Sequence, residues 1–311
     1  MPTVTTLCAA GHQAPTLAAA AGAYLASIDR PESRGTHRQY AATLRRLGQA
    51  LGADATVYGI DGAAVRAWIE QTWGGRKPAT YNRALDVFRS AWAYWMAQGW
   101  ANEDPTAAMR RRAVAVDRSR ALSRADIGQL LTREAISLRE RTLWRMLYES
   151  AARAGEVLAL NVEDLDLANR RARVLRKGGA ADIIVWQSGT ARLLPRLISG
   201  RTAGPLFLTG RQARVQLAAA DVDTATGRAR LSYRQSAALF TAATTDLPGG
   251  PWTLHQLRHS ALTHAAEDGA STSTLLAYSG HTSVRSLARY ARVSAEALGD
   301  WQAQRDPARR R

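Results

Sequence analysis

Trp252-Thr-Leu-His255-Gln-Leu-Arg258-His259-Ser-Ala-Leu-Thr-His264, followed by Gly280-His281 and then by Arg289-Tyr290, is the stretch on which the reading of this chain turns. Leu254, Leu257, Ala261, Leu262 and Ala265 recur at helical spacing, and Gly269 is a natural stop for that helix. Leu275–Tyr278 and Val284–Tyr290 predict two further helices, with Gly280-His281 between them. Two His, one Arg and one Tyr thus fall at spacings that a short helical domain can bring around a single phosphate.

The chain around it is long and basic. At 311 residues it exceeds the usual size of a single core, so two domains are expected. The formal charge of +16 points to a polyanionic partner. The excess is shared: +6 over residues 1–121 (15 basic, 9 acidic) and +10 over residues 122–311 (27 basic, 17 acidic), as suits a protein that grips one ligand from both sides. A single cysteine, Cys8, excludes a disulfide framework or a cysteine-built metal site within one chain. No apolar run reaches the ~18 residues of a membrane span. No basic region precedes Leu17–Ala26 as in a signal peptide, so a cytoplasmic protein is expected. Only two of the 42 basic residues are lysine, Lys77 and Lys177. Lysine can give up its proton where arginine cannot, which makes the lone lysine of the C-terminal half a candidate proton donor.

Working toward the N-terminus, residues 1–15 read as a flexible tail and the next ninety or so as four helices. Leu17, Tyr24, Leu25 and Ile28 mark the first; Tyr40, Leu44, Leu47 and Leu51 form the stripe of the second. Val65, Trp68 and Ile69 mark the third behind Asp61 as N-cap, and Tyr81, Leu85, Phe88, Trp92 and Trp95 the fourth behind Pro78. That aromatic stripe is read as core rather than as a base-stacking platform. Arg34, Arg38 and Arg45 share the polar face of the second helix, with Arg46 beside it, and Arg76 and Lys77 precede the fourth. They are candidate contacts to phosphates or a groove. Residues 110–121 are basic and weakly patterned, an expected interdomain linker.

Ser123-Arg-Ala-Asp126 resembles a capping box ahead of Ile127, Leu130 and Leu131. Leu143, Met146 and Leu147 predict a helix that runs on into Ala152-Arg153-Ala-Gly155-Glu156-Val157-Leu158. Leu165 and Leu167, then Ala172 and Val174, then Ile183–Trp186 predict three short strands, with turns at Ala168–Arg170 and Gly178–Ala181 and Lys177 at the start of the second turn. Pro195 lies in a further helical segment, residues 209–232 read as a long loop, and Ser236–Ala243 returns to helix.

Ala152-Arg153-Ala-Gly-Glu156, Arg176-Lys177-Gly-Gly, His255-Gln-Leu-Arg258-His259, Gly280-His281 and Tyr290, nine residues after that His, come in the order and spacing of the tyrosine recombinases. That family includes phage integrases, Cre and the Xer chromosome-dimer resolvases, and the resemblance extends over essentially all of residues 16–295. It implies a mainly α fold with a small antiparallel β-sheet (α+β). A four-helix, SAM-like core-DNA-binding domain over residues 16–109 and a catalytic domain over 122–295 would form a clamp around DNA. Residues 110–121 would link the two domains, and the 296–311 tail would dock on a neighbouring protomer, with Leu298 and Trp301 as its apolar anchors.

The same resemblance implies site-specific strand exchange on double-stranded DNA. Tyr290 would be the nucleophile, and Arg153 and Arg258 would fork onto the non-bridging oxygens. His255 would act as base or relay, His281 as a hydrogen-bond donor to the phosphate, and Lys177 as the acid for the leaving 5′-oxygen. Glu156 is read as a partner that orients the cluster, and His259 as structural. The product would be a 3′-phosphotyrosine, formed with no cofactor, ATP or metal. The assembly would be a dimer on one site and a homo-tetramer on two duplexes, with accessory or directionality proteins as optional partners. One departure is evident: Ala180-Ala181-Asp182 stands where the family carries a basic residue.

Other readings of the same residues are a type IB topoisomerase and a DNA-binding protein with a decayed site. His255, His259 and His264 could be misread as a zinc cluster, but no third ligand at the right spacing and no helper glutamate accompany the pair that shares a helical face. Glu163, Asp164 and Asp166 are read as a turn into the first strand rather than as a metal-nuclease carboxylate set.

Overall fold

The periodic stripes of the N-terminal stretch are helices α1 (Leu17–Ser27), α2 (Arg34–Leu51), α3 (Gly62–Trp73) and α4 (Pro78–Ala97). The computed structural model describes residues 14–30, 34–114, 121–176, 179–287, 298–299 and 301–303. Its contacts divide into two units, Met1–Ala115 and Val116–Arg311. Local chemistry starts each helix. The Thr16 hydroxyl accepts from Ala19 N at 3.2 Å and the Asp61 carboxylate from Ala63 N at 2.8 Å. Pro78 begins α4, where its missing N–H costs nothing. Phe88, Trp92 and Trp95 are buried with Leu44, Leu47, Val65 and Ile69, so the aromatic stripe is core. Its rings meet edge to face, Trp92 on Trp95 at 4.8 Å and Trp73 on Phe88 at 5.6 Å between centroids. The Trp95 indole N–H donates to Ala20 O at 3.0 Å, so burying it leaves no donor unpaired. Arg112 is also held here, its backbone paired with the Asn82 amide and its guanidinium on Glu70 at 2.9 Å and over the Tyr81 ring.

The second unit holds α5 (Arg124–Thr132), α6 (Leu138–Ser150), α7 (Ala154–Ala159), β1 (Leu165–Asp166), β2 (Arg171–Leu175), β3 (Ala181–Val185) and α8 (Ser188–Ile198). It continues with β4 (Leu208–Gln212), β5 (Arg228–Arg230), α9 (Tyr233–Ala243), α10 (Leu254–Glu267), α11 (Thr272–Ser279) and α12 (Val284–Leu287). Strands β1, β2 and β3 form an antiparallel sheet in that order, with Arg171 opposite Val185 and Leu175 opposite Ala181. Alternation sends Ala172, Val174 and Ile184 into a core shared with Trp144, Leu147 and Leu257. A smaller cluster of Ala151, Ala261, Leu262, Ala266, Leu275 and Leu287 seats α11 and α12 on α10. The architecture is therefore mainly helical with small antiparallel sheets. Among the described residues no helix is long and apolar enough to cross a membrane.

Two expectations are corrected. The helix expected to run through Arg153 is broken: α6 ends at Ser150, its C-cap Ala151 is left-handed (φ 48°), and α7 starts afresh at Ala154. Nothing in the apolar spacing marks the break, because alanine rarely takes that conformation; long-range contacts hold it there. The expected long loop over 209–232 contains β4 and β5, paired around an irregular register, and a short 3-10 turn at Ala219–Asp221. Residues 210–212 of β4 are all exposed, so Gly210-Arg211-Gln212 had no reason to alternate in polarity. Of the helix expected over Val284–Tyr290, positions 288–290 lie outside the described residues.

Candidate active site

Arg258 is the residue that joins the parts. It sits on α10 with 2% of its surface exposed, and a guanidinium so far from water must have its donors satisfied. One Nη donates to Ala151 O; the other donates to Ser279 O at 2.7 Å and lies 3.4 Å from His281 Nε2. The break after α6 is what turns the Ala151 carbonyl toward it. Ser279 closes α11 and Gly280 follows at φ +60°, a left-handed cap that glycine adopts without strain. His281 comes next, its N–H donating to Ser279 Oγ at 3.2 Å. His255 stands in the first turn of α10, exposed, one turn before Arg258. That turn is fixed by the Gln256 side chain, which accepts from Thr253 N at 2.7 Å.

Arg153 lies two residues past the Ala151 break, as the N-cap of α7. The Glu156 carboxylate reaches back to it twice, accepting from Arg153 N at 2.9 Å and from Arg153 Nη1 at 2.8 Å. Glu156 is buried, whereas the Arg153 side chain stays 39% exposed, with its Nη1 held by Glu156. These contacts place the Glu156 carboxylate on both the backbone and the guanidinium of Arg153.

Sequence reasoning missed Arg176. It is buried, donates to Glu156 Oε2 at 2.7 Å and to Asp182 Oδ2 at 2.8 Å, and lies close against Gly280. Partial burial works to raise the Asp182 carboxyl, but the hydrogen bonds from Arg176 and Ile183 N prevail and hold it below the ordinary aspartate value. Asp182 is the acidic residue noted above as a departure, and Arg176 is its partner. The partners are 20 and 6 positions away, and no local pattern announces such a pair. Arg176 N also bonds Ala180 O at 2.8 Å, and Gly179 N bonds Arg176 O at 3.0 Å, closing the turn at the end of β2 and β3.

Lys177 and Tyr290 lie outside the described residues. His259 is buried. His264 is buried too, its Nδ1 2.8 Å from the Tyr148 hydroxyl. Among the described residues no three His, Cys, Asp or Glu side chains are grouped to hold a metal. Glu163 accepts from Gly204 N at 2.9 Å, Asp164 from Asn161 N at 2.8 Å, and Asp166 from Arg171 Nε at 2.9 Å, as a turn into β1 requires. Arg38 and Arg45 are exposed on α2, and Arg76 and Lys77 are exposed ahead of α4; Arg34 opens α2, with its side chain outside the described residues. These five belong to the first unit, and the catalytic candidates to the second. Leu298 and Trp301 are about half exposed.

Three comparisons bear on this arrangement. Residues 120–297 match the model of the phage integrase family. The chain is 29% identical over 276 residues to tyrosine recombinase XerC of Mycobacterium bovis (strain BCG / Pasteur 1173P2), covering 85% of this chain and 89% of that one. Among solved structures it resembles a lambda integrase dimer bound to a COC' core site, with a TM-score of 0.70 at 16% identity over 90% of this chain and 96% of that one. It also resembles a lambda integrase tetramer bound to a Holliday junction, with a TM-score of 0.67 at 17% identity over 93% and 78%. At such identities the likeness to the solved structures is one of fold.

Proposed function

We propose a reaction for this site from the premise that the chain belongs to the phage integrase family and is a site-specific DNA recombinase of the tyrosine type. The observation that carries the proposal is the reach of Arg258, which ties the turn before Arg153, the helix bearing His255 and the turn bearing His281 into one cluster.

Tyr290 Oη attacks the scissile phosphorus, and its proton passes to His255 as the new bond forms. A phenol with an ordinary pKa of ~10 needs such help at neutral pH. Arg153, with one edge free of Glu156, and Arg258 present fixed donors to the non-bridging oxygens, where charge grows in the transition state. His281 adds a hydrogen bond. Lys177 delivers a proton to the 5′-oxygen as the P–O5′ bond breaks, leaving a 3′-phosphotyrosine and a free 5′-hydroxyl. Because that linkage keeps the phosphodiester's energy, a 5′-hydroxyl from a second duplex reverses the attack without ATP, and the arginines supply the charge a metal would otherwise bring.

Residues 16–109 act as the SAM-like core-DNA-binding half of a clamp, with Arg34, Arg38, Arg45, Arg76 and Lys77 toward the phosphates. Residues 110–121 serve as linker, and residues 122–295 as the catalytic half. The 296–311 tail docks on a neighbour, two protomers share a site and four share two duplexes; the lambda integrase tetramer on a Holliday junction supports this assembly. The comparisons favour neither a topoisomerase nor an inactive DNA-binding protein.

The test is covalent trapping. The purified chain selects its site from random duplex DNA, and a nicked version of that site is then offered as a suicide substrate. A covalent protein–DNA adduct is expected from the natural chain and none from Tyr290→Phe; an undiminished adduct from the variant removes Tyr290 as nucleophile.

A further inference from the structure

Arg176 has a burial and a set of contacts that the reaction above does not use. Its side chain is 7% exposed, as deeply buried as that of Glu156, at 6%. A buried guanidinium is retained at a cost unless both its charge and its donors are met. Here one carboxylate comes from α7, through Glu156 at 2.7 Å, and a second from β3, through Asp182 at 2.8 Å. Its third nitrogen, Nη2, is buried without a hydrogen-bond partner among the described residues and lies against Gly280, where any Cβ would collide with the guanidinium. One guanidinium therefore touches α7, the β2–β3 turn and the residue before His281.

The Glu156 contact decides what this does. Glu156 divides its carboxylate, Oε1 to Arg153 Nη1 and Oε2 to Arg153 N and Arg176 Nη1. With Arg176 removed, the carboxylate keeps Arg153 as its only cationic partner among the described residues, and nothing fixes its rotation from the sheet side. Asp182, more exposed at 41%, pairs with the Nε of Arg176, so the guanidinium is held between two acids.

We propose that Arg176 is a positioning residue: through Glu156 it fixes the direction in which Arg153 presents its free edge to the scissile phosphate, with Asp182 as its counter-anchor. The proposal rests on the reading of Arg153 as a ligand of a non-bridging oxygen. Misdirecting such a donor costs rate rather than fold.

The experiment compares cleavage of three nicked duplexes carrying the selected site. One has the ordinary phosphodiester, one a methylphosphonate in which a non-bridging oxygen is a neutral methyl, and one a 5′-bridging phosphorothiolate whose leaving group needs no proton. Arg176→Gln should slow the ordinary substrate by about tenfold to a hundredfold. On the methylphosphonate, which has less charge for Arg153 to meet, its deficit against the natural chain should shrink to about threefold or less, while on the phosphorothiolate it should persist. Asp182→Asn should give a milder deficit of the same pattern, and Arg176→Lys, which cannot bridge two acids in plane, should not restore the rate. Equal deficits on all three substrates would reduce Arg176 to a fold-stabilising part, and relief on the phosphorothiolate alone would assign it to the leaving group; either result overturns the proposal. Arg153→Ala keeps the premise separate. If that variant gains no relief on the methylphosphonate, the role given to Arg153 is wrong. If it gains relief and Arg176→Gln does not, only the present inference fails.

Discussion

The first unit and the second are held by opposite means. In the first, α4 lines up Tyr81, Phe88, Trp92 and Trp95 against Leu44, Leu47 and Ile69, and the energy is that of aromatic burial. In the second, the ordinary apolar core of α6, α8 and the β1–β3 sheet sits beside a buried ionic cluster in which Arg258 and Arg176 meet carbonyl and carboxylate oxygens. Apolar packing tolerates small changes of shape and fixes no charge, whereas a buried ion fixes direction and costs energy to keep. The molecule spends stability on buried charge in the unit where direction matters to the chemistry.

The strongest way to break that contrast is at Arg258. Arg258→Ala would orphan the carbonyls of Ala151 and Ser279, at about 1–3 kcal/mol each. It would also remove the donor proposed for the phosphate, at a loss of about 10²–10³ in cleavage rate. Arg258→Lys keeps the charge but not the fork. Adduct formation should be lost in both variants, while the midpoint of urea unfolding should fall further in the alanine variant. A lysine variant that cleaves at the natural rate would show that charge alone suffices and that direction was not what the burial secured.

Phe88→Ala probes the other side. Phe88 is fully buried and touches the Trp68, Trp73 and Trp92 rings, so the truncation should cost about 3–5 kcal/mol. Hydrogen exchange should rise across α1–α4 and leave the amides of α10 protected. Matching loss of protection in α10 would mean that the two units do not unfold separately, and the contrast between their cores would lose its force.

How much of this was legible in the sequence follows from the same contrast. Packing writes itself into spacing: the four-residue and three-residue steps of Tyr81, Leu85, Phe88, Trp92 and Trp95 give α4, and alternation at Ala172, Val174 and Ile184 gives the sheet. Local caps are legible for the same reason, as Asp61 and Ser123 demonstrate. The buried ionic contacts are not. Arg258 meets Ala151 at a separation of 107 residues and Arg176 meets Glu156 at 20, and no period links such partners. The motif around Arg153 carried the residue types of the site, but neither the left-handed Ala151 nor the place of Arg176 beside Glu156. Strands β4 and β5 were hidden for a third reason: β4 buries neither face, so no pattern was imposed on it.

A smaller effect tests whether acid reaches the second unit through its buried groups. His264 on α10 is buried, its Nδ1 against the Tyr148 hydroxyl. Burial, and then the nearby Arg124 charge, push the imidazole below its ordinary value, with Glu267 and Asp268 opposing. A group whose folded pKa is depressed binds protons more readily when unfolded. Its contribution is complete above the unfolded value of ~6.5 and is lost as pH falls from there through the folded value. Urea unfolding of the natural chain should therefore shift to lower midpoints between pH 7.5 and 5, the steeper part starting near ~6.5. In His264→Gln, which has no proton to gain, that part of the pH dependence should disappear, leaving the loss at lower pH where carboxyls such as Asp182, held down by Arg176, are protonated. If His264→Gln keeps the full slope below pH 6.5, the histidine is not where acid enters the second unit, and its burial is packing of the kind that dominates the first.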